Sequence, residues 1–292
     1  MSAVSDASNG QPATPPGLPH EAPAGLPHEA PPGPWIDNHC HITPAHLQPA
    51  DDGSQAVVDA AVDAGVIAMI TVGTDAASSA ACLEVAASDD RVFATAGVHP
   101  HDAVEGTAAL RDVVDAARGG RDLVAIGECG LDYHYDHSPR ETQRAVFAEQ
   151  IAMAHELDLP LVIHTRSAWD DTFAILASEG TPRRTVFHCF TGGPDEGERA
   201  VELGALMSIS GIVTFPSATE LREAVTLAPL ESLMVETDSP YLTPVPYRGR
   251  RNRPALVGFV GAEVAALQGR AVDEVARATT RRADAFYSLG VA

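Results

Sequence analysis

The stretch WIDNHCHI, from Trp35 to Ile42, places two histidines one residue apart at the end of an apolar run. Successive side chains of an extended strand point to opposite faces, so His39 and His41 project to one side and Cys40 to the other. Two imidazoles on one face are a usable pair of metal ligands. If they bind a metal, further ligands must come from elsewhere in the chain, and the fold decides where those ligands lie.

The composition is that of a large, acidic globular protein. Of the 292 residues 45% are hydrophobic, which is enough for a substantial core. The formal net charge is −21, and this acidic balance disfavours broad, tight binding of duplex nucleic acid. All 19 basic residues are arginines. The lack of lysine excludes Schiff-base chemistry, a P-loop lysine and a metal site bridged by a carboxylated lysine.

Other features bear on the location of the protein. No run approaches the ~18 consecutive apolar residues of a membrane helix, and the N-terminus lacks the basic and apolar blocks of a secretory signal. The four cysteines, Cys40, Cys82, Cys129 and Cys189, form no C-x-x-C pair, which favours reduced thiols. We therefore expect a cytoplasmic protein without membrane association and without an obligate protein partner.

Residues 1–34 differ from the rest of the chain. They are rich in Pro, Ala, Gly and Ser, and LPHEAPAG at 18–25 is echoed by LPHEAPPG at 26–33. We expect a disordered tail there and a single domain over 35–292. Because the tail holds no candidate ligand and little apolar surface, we also expect that it can be removed without loss of folding or activity.

From Trp35 onward, short apolar runs alternate with longer amphipathic stretches, which is typical of βα units around a parallel sheet. The predicted strands are 35–39, 66–72, 92–97, 123–128, 160–164, 184–189, 205–213 and 233–237. A helix is predicted over 138–157, with Ser138 as N-cap, Pro139 at the first helical position and Glu141 completing a capping box. This pattern predicts an α/β fold, a (β/α)₈ TIM barrel, whose active site lies at the carboxyl ends of the strands.

Side chains of the metal-binding type stand at the ends of several of these runs. Besides His39 and His41, they are Glu128 in LVAIGECGLD, His164 in LPLVIHTR, His188 in RTVFHCF and Asp238 in SLMVETDSP. Singly, each has an ordinary interpretation as a paired carboxylate or a core histidine. Together they suffice for one or two divalent cations, with Glu128 bridging them. Zn, Mn and Mg all remain open, because the ligands are mixed.

A set of motifs gives the chain a family resemblance. They are DNHCH at 37–41, GVHPHDA at 97–103, IGECGLDYHYD at 126–136, PLVIHTRSAWDDT at 160–172, VFHCFTGG at 186–193 and VETDSPYLTPVPYRGRRNRP at 235–254. The chain resembles the TatD family of metal-dependent deoxyribonucleases over essentially all of 35–290. The resemblance implies an amidohydrolase-like barrel that hydrolyses DNA, with metal ligands at the same six positions. Asn38, Ile42 and Thr43 depart from the family pattern.

We therefore expect a metal-dependent hydrolase, a deoxyribonuclease that cleaves phosphodiester bonds in DNA ends or short single strands with metal-activated water. The expected catalytic residues are Asp238, as ligand and proton acceptor, and Glu128. Glu236, one pleat before Asp238, is expected to orient a ligand. Donors to the phosphate are expected from His99, Arg166, Arg248 and Arg251.

Two alternatives stay open. A metal-dependent ester or C–N hydrolase on the same barrel, acting on a small anionic substrate, would use the same activated water. A non-catalytic metal-binding protein is the remote alternative, since structural metal sites are usually closed rather than placed at an open barrel mouth. Of the pair His99 and His101, only His99 is expected at the site.

Overall fold

The structure, a computed structural model, describes Pro31 and residues 33–292. Along this part of the chain, strands and helices alternate. The strands are β1 (Trp35–Cys40), β2 (Val66–Val72), β3 (Val92–Ala96), β4 (Leu123–Asp132), β5 (Leu161–Arg166), β6 (Thr185–Phe187), β7 (Leu206–Ile209) and β8 (Leu233–Val235). The helices are α1 (Gly53–Asp63), α2 (Ala76–Ser88), α3 (Ala108–Ala117), α4 (Arg140–Leu157), α5 (Trp169–Glu179), α6 (Pro194–Glu202), α7 (Thr219–Leu227), α8 (Val257–Gln268) and α9 (Val272–Tyr287).

The strands form one parallel sheet in the order β1 to β8. Backbone contacts join its two ends. Cys40 forms a parallel bridge with Ser239. The amide of His41 donates to the carbonyl of Ser239 at 2.7 Å, and the amide of Asp238 donates to the carbonyl of His39 at 2.9 Å. These contacts close the sheet, and the predicted TIM barrel is confirmed.

A layer of apolar side chains fills the interior of the barrel. Every strand contributes to it, through Ile36, Ile70, Phe93, Val124, Val162, Val186, Leu206 and Met234. Phe286 and Tyr287, at the end of α9, pack in the same cluster. Because side chains alternate along a strand, residues two positions further on face the same interior, and three of these are His164, His188 and Glu236. The interior therefore changes from apolar to polar towards the carboxyl ends of the strands.

Helix α4 carries the predicted apolar face, since Val146, Phe147 and Ile151 are buried. Its predicted start is wrong. The helix begins at Arg140, and no side chain caps its first turn. The hydroxyl of Ser138 instead donates to the carbonyl of His101 at 2.7 Å, so it anchors the loop that follows β3.

All strand ends except that of β2 differ from the predicted ones, by one residue for β1 and β3 and by two or more for the others. β4 continues to Asp132, because Gly130 and Asp132 still pair with His164 and Arg166 of β5. Glu128 therefore lies within its strand and not at the end. β7 ends at Ile209 and β8 at Val235, both earlier than predicted. The segment after β7 forms a 3₁₀ turn over Gly211–Thr214.

Most of the predicted tail lies outside the described residues, and its disorder stays a prediction. Two described residues of that segment contact the barrel. The indole of Trp35 donates to the carbonyl of Pro31 at 2.9 Å, and the hydroxyl of Thr280 donates to the carbonyl of Pro34 at 3.0 Å. Within the described residues, no single helix has the length and apolar character needed to cross a membrane. Only α8 with its preceding turn and α9, taken together, have that length and apolar character, and the two are bent by 113° relative to each other.

Candidate metal centre

The two oxygens of Glu128 face different groups of side chains. Oε1 lies 2.9 Å from Nδ1 of His164 and 3.0 Å from Nε2 of His188. Oε2 lies 3.4 Å from Nε2 of His39. Glu128 is buried, in the part of β4 that pairs with β5. It therefore joins the side of the site formed by β5 and β6 to the side formed by β1.

Asp238 completes the side of the site formed by β1. Its Oδ1 lies 3.4 Å from Nε2 of His41 and 3.8 Å from Nε2 of His39. Asp238 has a φ of 54°, in the left-handed region that a short polar side chain tolerates. The structure thus brings together all six side chains that the sequence marks as ligands. Ligand atoms of His39, His41 and Asp238 lie within 4.8 Å of one another, close enough to hold one cation.

In His41 and His188, the outer ring nitrogen, Nδ1, points away from the centre, and its contacts show that the inner nitrogen, Nε2, is the one available to a metal. Nδ1 of His41 lies 3.2 Å from the carbonyl of Val72, and Nδ1 of His188 lies 3.1 Å from Oε1 of Glu236. Both partners are acceptors, so Nδ1 carries the proton in each ring. Nε2 is then the nitrogen that faces the carboxylates of the centre, and it is the atom that would give up its proton to bind a cation.

Glu236 is held in place by its own hydrogen bonds. It is fully buried, and it accepts the amide of Cys189 at 2.8 Å and the hydroxyl of Ser208. Asn38 in turn donates to the Ser208 hydroxyl at 2.6 Å. A chain of hydrogen bonds therefore runs from Asn38 to His188, and it includes one position at which the sequence departs from the family pattern. The expected orienting contact of Glu236 is present.

Asp132 supports His164 in a similar way. Nε2 of His164 lies 3.3 Å from Oδ2 of Asp132, which leaves Nδ1 facing Glu128. Nε2 of His101 lies 2.9 Å from the same oxygen of Asp132. The expectation that only His99 of the HPH motif reaches the site is therefore wrong, because His101 contacts a carboxylate that holds His164. Asp132 itself was missed, although it lies two pleats after Glu128 on one strand.

His99 differs from the other histidines in its tautomer. Its Nδ1 accepts the amide of His101 at 3.1 Å, so the neutral ring carries its proton on Nε2. Burial lowers the pKa of His99 to about 4, which keeps the ring neutral. Nε2 lies 3.4 Å from Oε1 of Glu128 and can donate there. This arrangement suits the donor role expected for His99 better than a ligand role.

The buried ring of His39 and its nitrogens, unpaired within the described residues, show that the site suits a cation. The residue is fully buried and stacks on His188, with ring centroids 3.7 Å apart. Among the described residues neither ring nitrogen of His39 has a hydrogen-bond partner. Such unsatisfied buried groups cost about 1–3 kcal/mol each, and a cation would satisfy Nε2. Burial also lowers the pKa of His39, so the ring is neutral, the form that binds metals. The residues fit a divalent cation.

Both carboxylates of the centre are ionised at neutral pH. Burial alone would raise the pKa of Glu128, but its interaction with His188 and the hydrogen bonds from His164 and His188 lower it well below the ordinary value. Burial would also raise the pKa of Asp238, but a hydrogen bond from His41 acts against it, and the net effect is a lowered pKa. Ionised carboxylates are the form that binds cations and accepts protons.

The three arginines expected to bind substrate are placed differently. Arg166 is exposed, with its guanidinium carbon 4.8 Å from the ring centroid of Tyr135. Arg248 is exposed and lies 3.9 Å over the ring of Phe215. Arg251 is engaged, because its Nε lies 3.3 Å from Asp51 and its Nη2 donates to the carbonyl of His46. It ties the loop after β1 to the segment after β8.

The cysteines next to the ligands take no part in the centre. The thiol of Cys40 contacts the carbonyl of Ile70 at 3.4 Å, and that of Cys129 contacts the carbonyl of Val162 at 3.5 Å. Burial raises the pKa of both thiols well above the ordinary value. They are therefore protonated packing residues and not nucleophiles.

A TIM barrel with histidines and carboxylates gathered at the carboxyl ends of its strands defines a metal-dependent hydrolase. The family model described as TatD related DNase matches residues 36–288, and the chain belongs to this family. It is 35% identical over 255 residues to the uncharacterized metal-dependent hydrolase YabD of Bacillus subtilis, covering 87% of this chain and 99% of that protein. It is also 35% identical to the 3'-5' ssDNA/RNA exonuclease TatD of Pantoea ananatis, covering 80% of this chain and 93% of that protein.

Solved structures agree with this assignment. The crystal structure of YjjV, a TatD homolog from Escherichia coli K12, matches with a TM-score of 0.81 and 30% identity. The match covers 87% of this chain and 98% of that one. The family resemblance predicted from the motifs is confirmed.

Proposed function

We propose that this protein hydrolyses phosphodiester bonds at DNA ends or in short single strands, with one or two divalent cations. The observation that carries the proposal is the position of Glu128, whose two oxygens face two separate groups of donors. A single carboxylate between two such groups suits a pair of cations. The name of the Pantoea ananatis relative, a ssDNA/RNA exonuclease, supports nucleic acid as the substrate.

The proposed ligands are His39, His41, Glu128, His164, His188 and Asp238. Zn, Mn and Mg are all compatible with this mixture of nitrogen and oxygen donors. A divalent cation held there would lower the pKa of bound water far below that of bulk water, towards ~7, so that hydroxide is available at neutral pH.

The chain's own residues supply the proton acceptor and the orientation. Asp238 is ionised, and its side chain is 14% exposed, so it is accessible to a water that attacks the substrate. We assign it the proton of that water. Glu236 and Asp132 fix the rings of His188 and His164, and both act only through those histidines.

Donors at the mouth favour a phosphate over an ester or a C–N bond. The Nε2 proton of His99 points at the centre, and the guanidinium groups of Arg166 and Arg248 are exposed. Guanidinium groups bind phosphate through paired N–H donors. In a chain of net charge −21, such local cations are what an anionic substrate needs. Arg251 remains in the proposed set, but its pairing with Asp51 gives it an indirect role.

The proposal is tested by substrate competition. The protein loaded in turn with Zn, Mn and Mg is assayed on an activated phosphodiester, an activated carboxylic ester and a cyclic amide. We expect the highest kcat/KM on the phosphodiester, and Arg166→Ala should raise KM for that substrate more than for the ester. Faster turnover of the ester or amide would favour the alternative hydrolase, and no turnover of any substrate would favour a non-catalytic metal-binding protein.

A further inference from the structure

Two tyrosines of this protein are unusually exposed. Among the Phe, Tyr and Trp side chains in the described part of the chain, only Tyr135, at 51%, and Tyr241, at 54%, have more than half of their surface accessible. Tyr247 and Tyr287 are buried. An exposed tyrosine leaves apolar ring surface in water, and tyrosine is enriched at binding interfaces.

Both exposed tyrosines border the metal centre. The ring centroid of Tyr241 lies 6.1 Å from that of His41, at 68°. The ring of Tyr135 packs edge-on against His101, with centroids 5.5 Å apart, and His101 contacts Asp132. Tyr241 therefore contacts a proposed ligand directly, and Tyr135 reaches the ligand His164 through His101, whose ring centroid lies 6.5 Å from that of His164.

The two rings lie on opposite sides of the barrel mouth. Tyr135 follows β4, and Tyr241 follows β8. In a closed sheet with the order β1 to β8, these two strands are four positions apart and therefore face each other across the barrel. The centre built around Glu128 lies between them.

Tyr135 belongs to a group of planar side chains. His137 lies nearly parallel to it, at 20° and 5.5 Å, and Arg166 lies over its ring. Unpaired nucleobases stack on aromatic rings and on guanidinium planes. Stacking does not depend on the attraction between phosphate and a basic surface, which a chain of net charge −21 lacks over most of its surface.

From these observations we infer that Tyr135 and Tyr241 are stacking surfaces for two unpaired nucleobases, one on each side of the phosphodiester that is cleaved. The inference rests on the proposed function and specifies its substrate as a single strand. Bases inside a duplex are stacked on their neighbours and paired, so they cannot lie on either ring. Tyr135 and Tyr241 are specificity residues of the mouth and take no part in the chemical step.

The test uses metal-loaded protein and end-labelled single-stranded oligonucleotides. One strand is complete, and in the others one nucleotide is replaced by an abasic residue at successive positions around the cleaved bond. Tyr135→Leu and Tyr241→Leu remove the ring planes, whereas Tyr135→Phe and Tyr241→Phe keep them and lose only the hydroxyl. Leu227→Ala, at a 67% exposed position at the end of α7, is the control for loss of an exposed apolar side chain.

Each leucine variant should lower kcat/KM on the complete strand by roughly 10- to 100-fold, mainly through KM, with the phenylalanine and Leu227→Ala variants close to the parent. An abasic residue at the stacking position should slow the parent by a similar factor, and on that strand the matching leucine variant should cost nothing further. The inference is overturned if the leucine variants slow complete and abasic strands equally, or if the phenylalanine variants are equally impaired. Failure of the proposed function looks different, since the parent would then cleave no strand at all, and the inference would fall with it.

Discussion

Nδ1 of His188 lies 3.1 Å from Oε1 of Glu236, a fully buried carboxylate that also accepts the amide of Cys189. This contact fixes both the ring orientation of His188 and the proton on its outer nitrogen. The inner nitrogen then faces Glu128 at 3.0 Å. Carboxylates that orient a histidine ligand in this way raise metal affinity without touching the metal.

Glu236→Gln should therefore weaken metal binding by roughly 10- to 100-fold, because the amide replaces a charged acceptor by a weaker one of similar volume. At saturating cation the variant should recover a kcat close to that of the parent. Calorimetric metal titration alongside an activity titration measures both quantities. Unchanged metal affinity would show that Glu236 serves the fold and not His188.

Asp238→Asn, unlike Glu236→Gln, should stay impaired when the cation is saturating. The amide keeps similar volume and one oxygen but loses the base, and general-base contributions are typically 10²- to 10⁴-fold. We expect kcat to fall by about that factor even when the cation is saturating. The matched control is Glu236→Gln, which added cation should rescue. Recovery of Asp238→Asn to nearly parental kcat would mean that Asp238 is only a ligand.

The ion pair of Asp89 and Arg91 predicts a pH-dependent contribution to stability. Nε of Arg91 donates to Asp89 at 2.8 Å, and Gln55 donates to the same carboxylate at 2.9 Å. The hydrogen bonds from Arg91 hold the pKa of Asp89 well below its ordinary value. Because the folded-state pKa is depressed, the stabilisation is present above the unfolded-state pKa of ~4 and is lost as pH falls through the folded value.

Asp89→Asn should therefore lower the Tm at pH 7, and its difference from the parent should shrink as the pH falls below ~4. Asp90→Asn is the neighbouring control, since Asp90 is 97% exposed and its pair with Arg121 should contribute little. Thermal melts from pH 7 to pH 2 measure the difference. A deficit that stays constant or grows in acid would contradict the assignment.

The contacts of Pro31 and Pro34 predict where the N-terminal segment can be cut. Removal of residues 1–30 should leave the Tm and the activity unchanged. Removal of residues 1–34 also deletes acceptors for Trp35 and Thr280, two hydrogen bonds worth about 1 kcal/mol each, and should lower the Tm. Thr280→Val in the full chain removes one of these bonds and provides the intermediate case. A large loss of stability on removing 1–30 alone would contradict the prediction.

The barrel was predictable because its signals are local and repeat. Alternating βα units indicate the sheet, and a polar residue two positions beyond an apolar one, as in Val162 and His164, indicates the end that carries the site. The start of α4 was harder to predict. Ser138 has the sequence features of an N-cap, yet its hydroxyl bonds to a loop 37 positions earlier, a contact that no local pattern reports.

The site residue missed in the sequence, Asp132, could have been found from the alternation of side chains along β4. Asp132 is four residues after Glu128, so a strand extended to 132 places both carboxylates on one face. Ending the strand at Glu128 hid that relationship. The engagement of Arg251 with Asp51 and the exposure of Tyr135 and Tyr241 had no such signal, because each depends on how loops from distant parts of the chain pack together.

Metal-dependent cleavage is best measured on an end-labelled single-stranded oligonucleotide, with protein first stripped of metal by a chelator and then titrated with Zn, Mn or Mg. We expect no cleavage by the stripped protein, restoration by at least one cation, and little restoration in Asp238→Asn at any cation concentration. Full cleavage in excess chelator would contradict the metal centre. An intact strand with every cation, in protein that hydrolyses an ester or amide, would contradict the phosphodiester substrate.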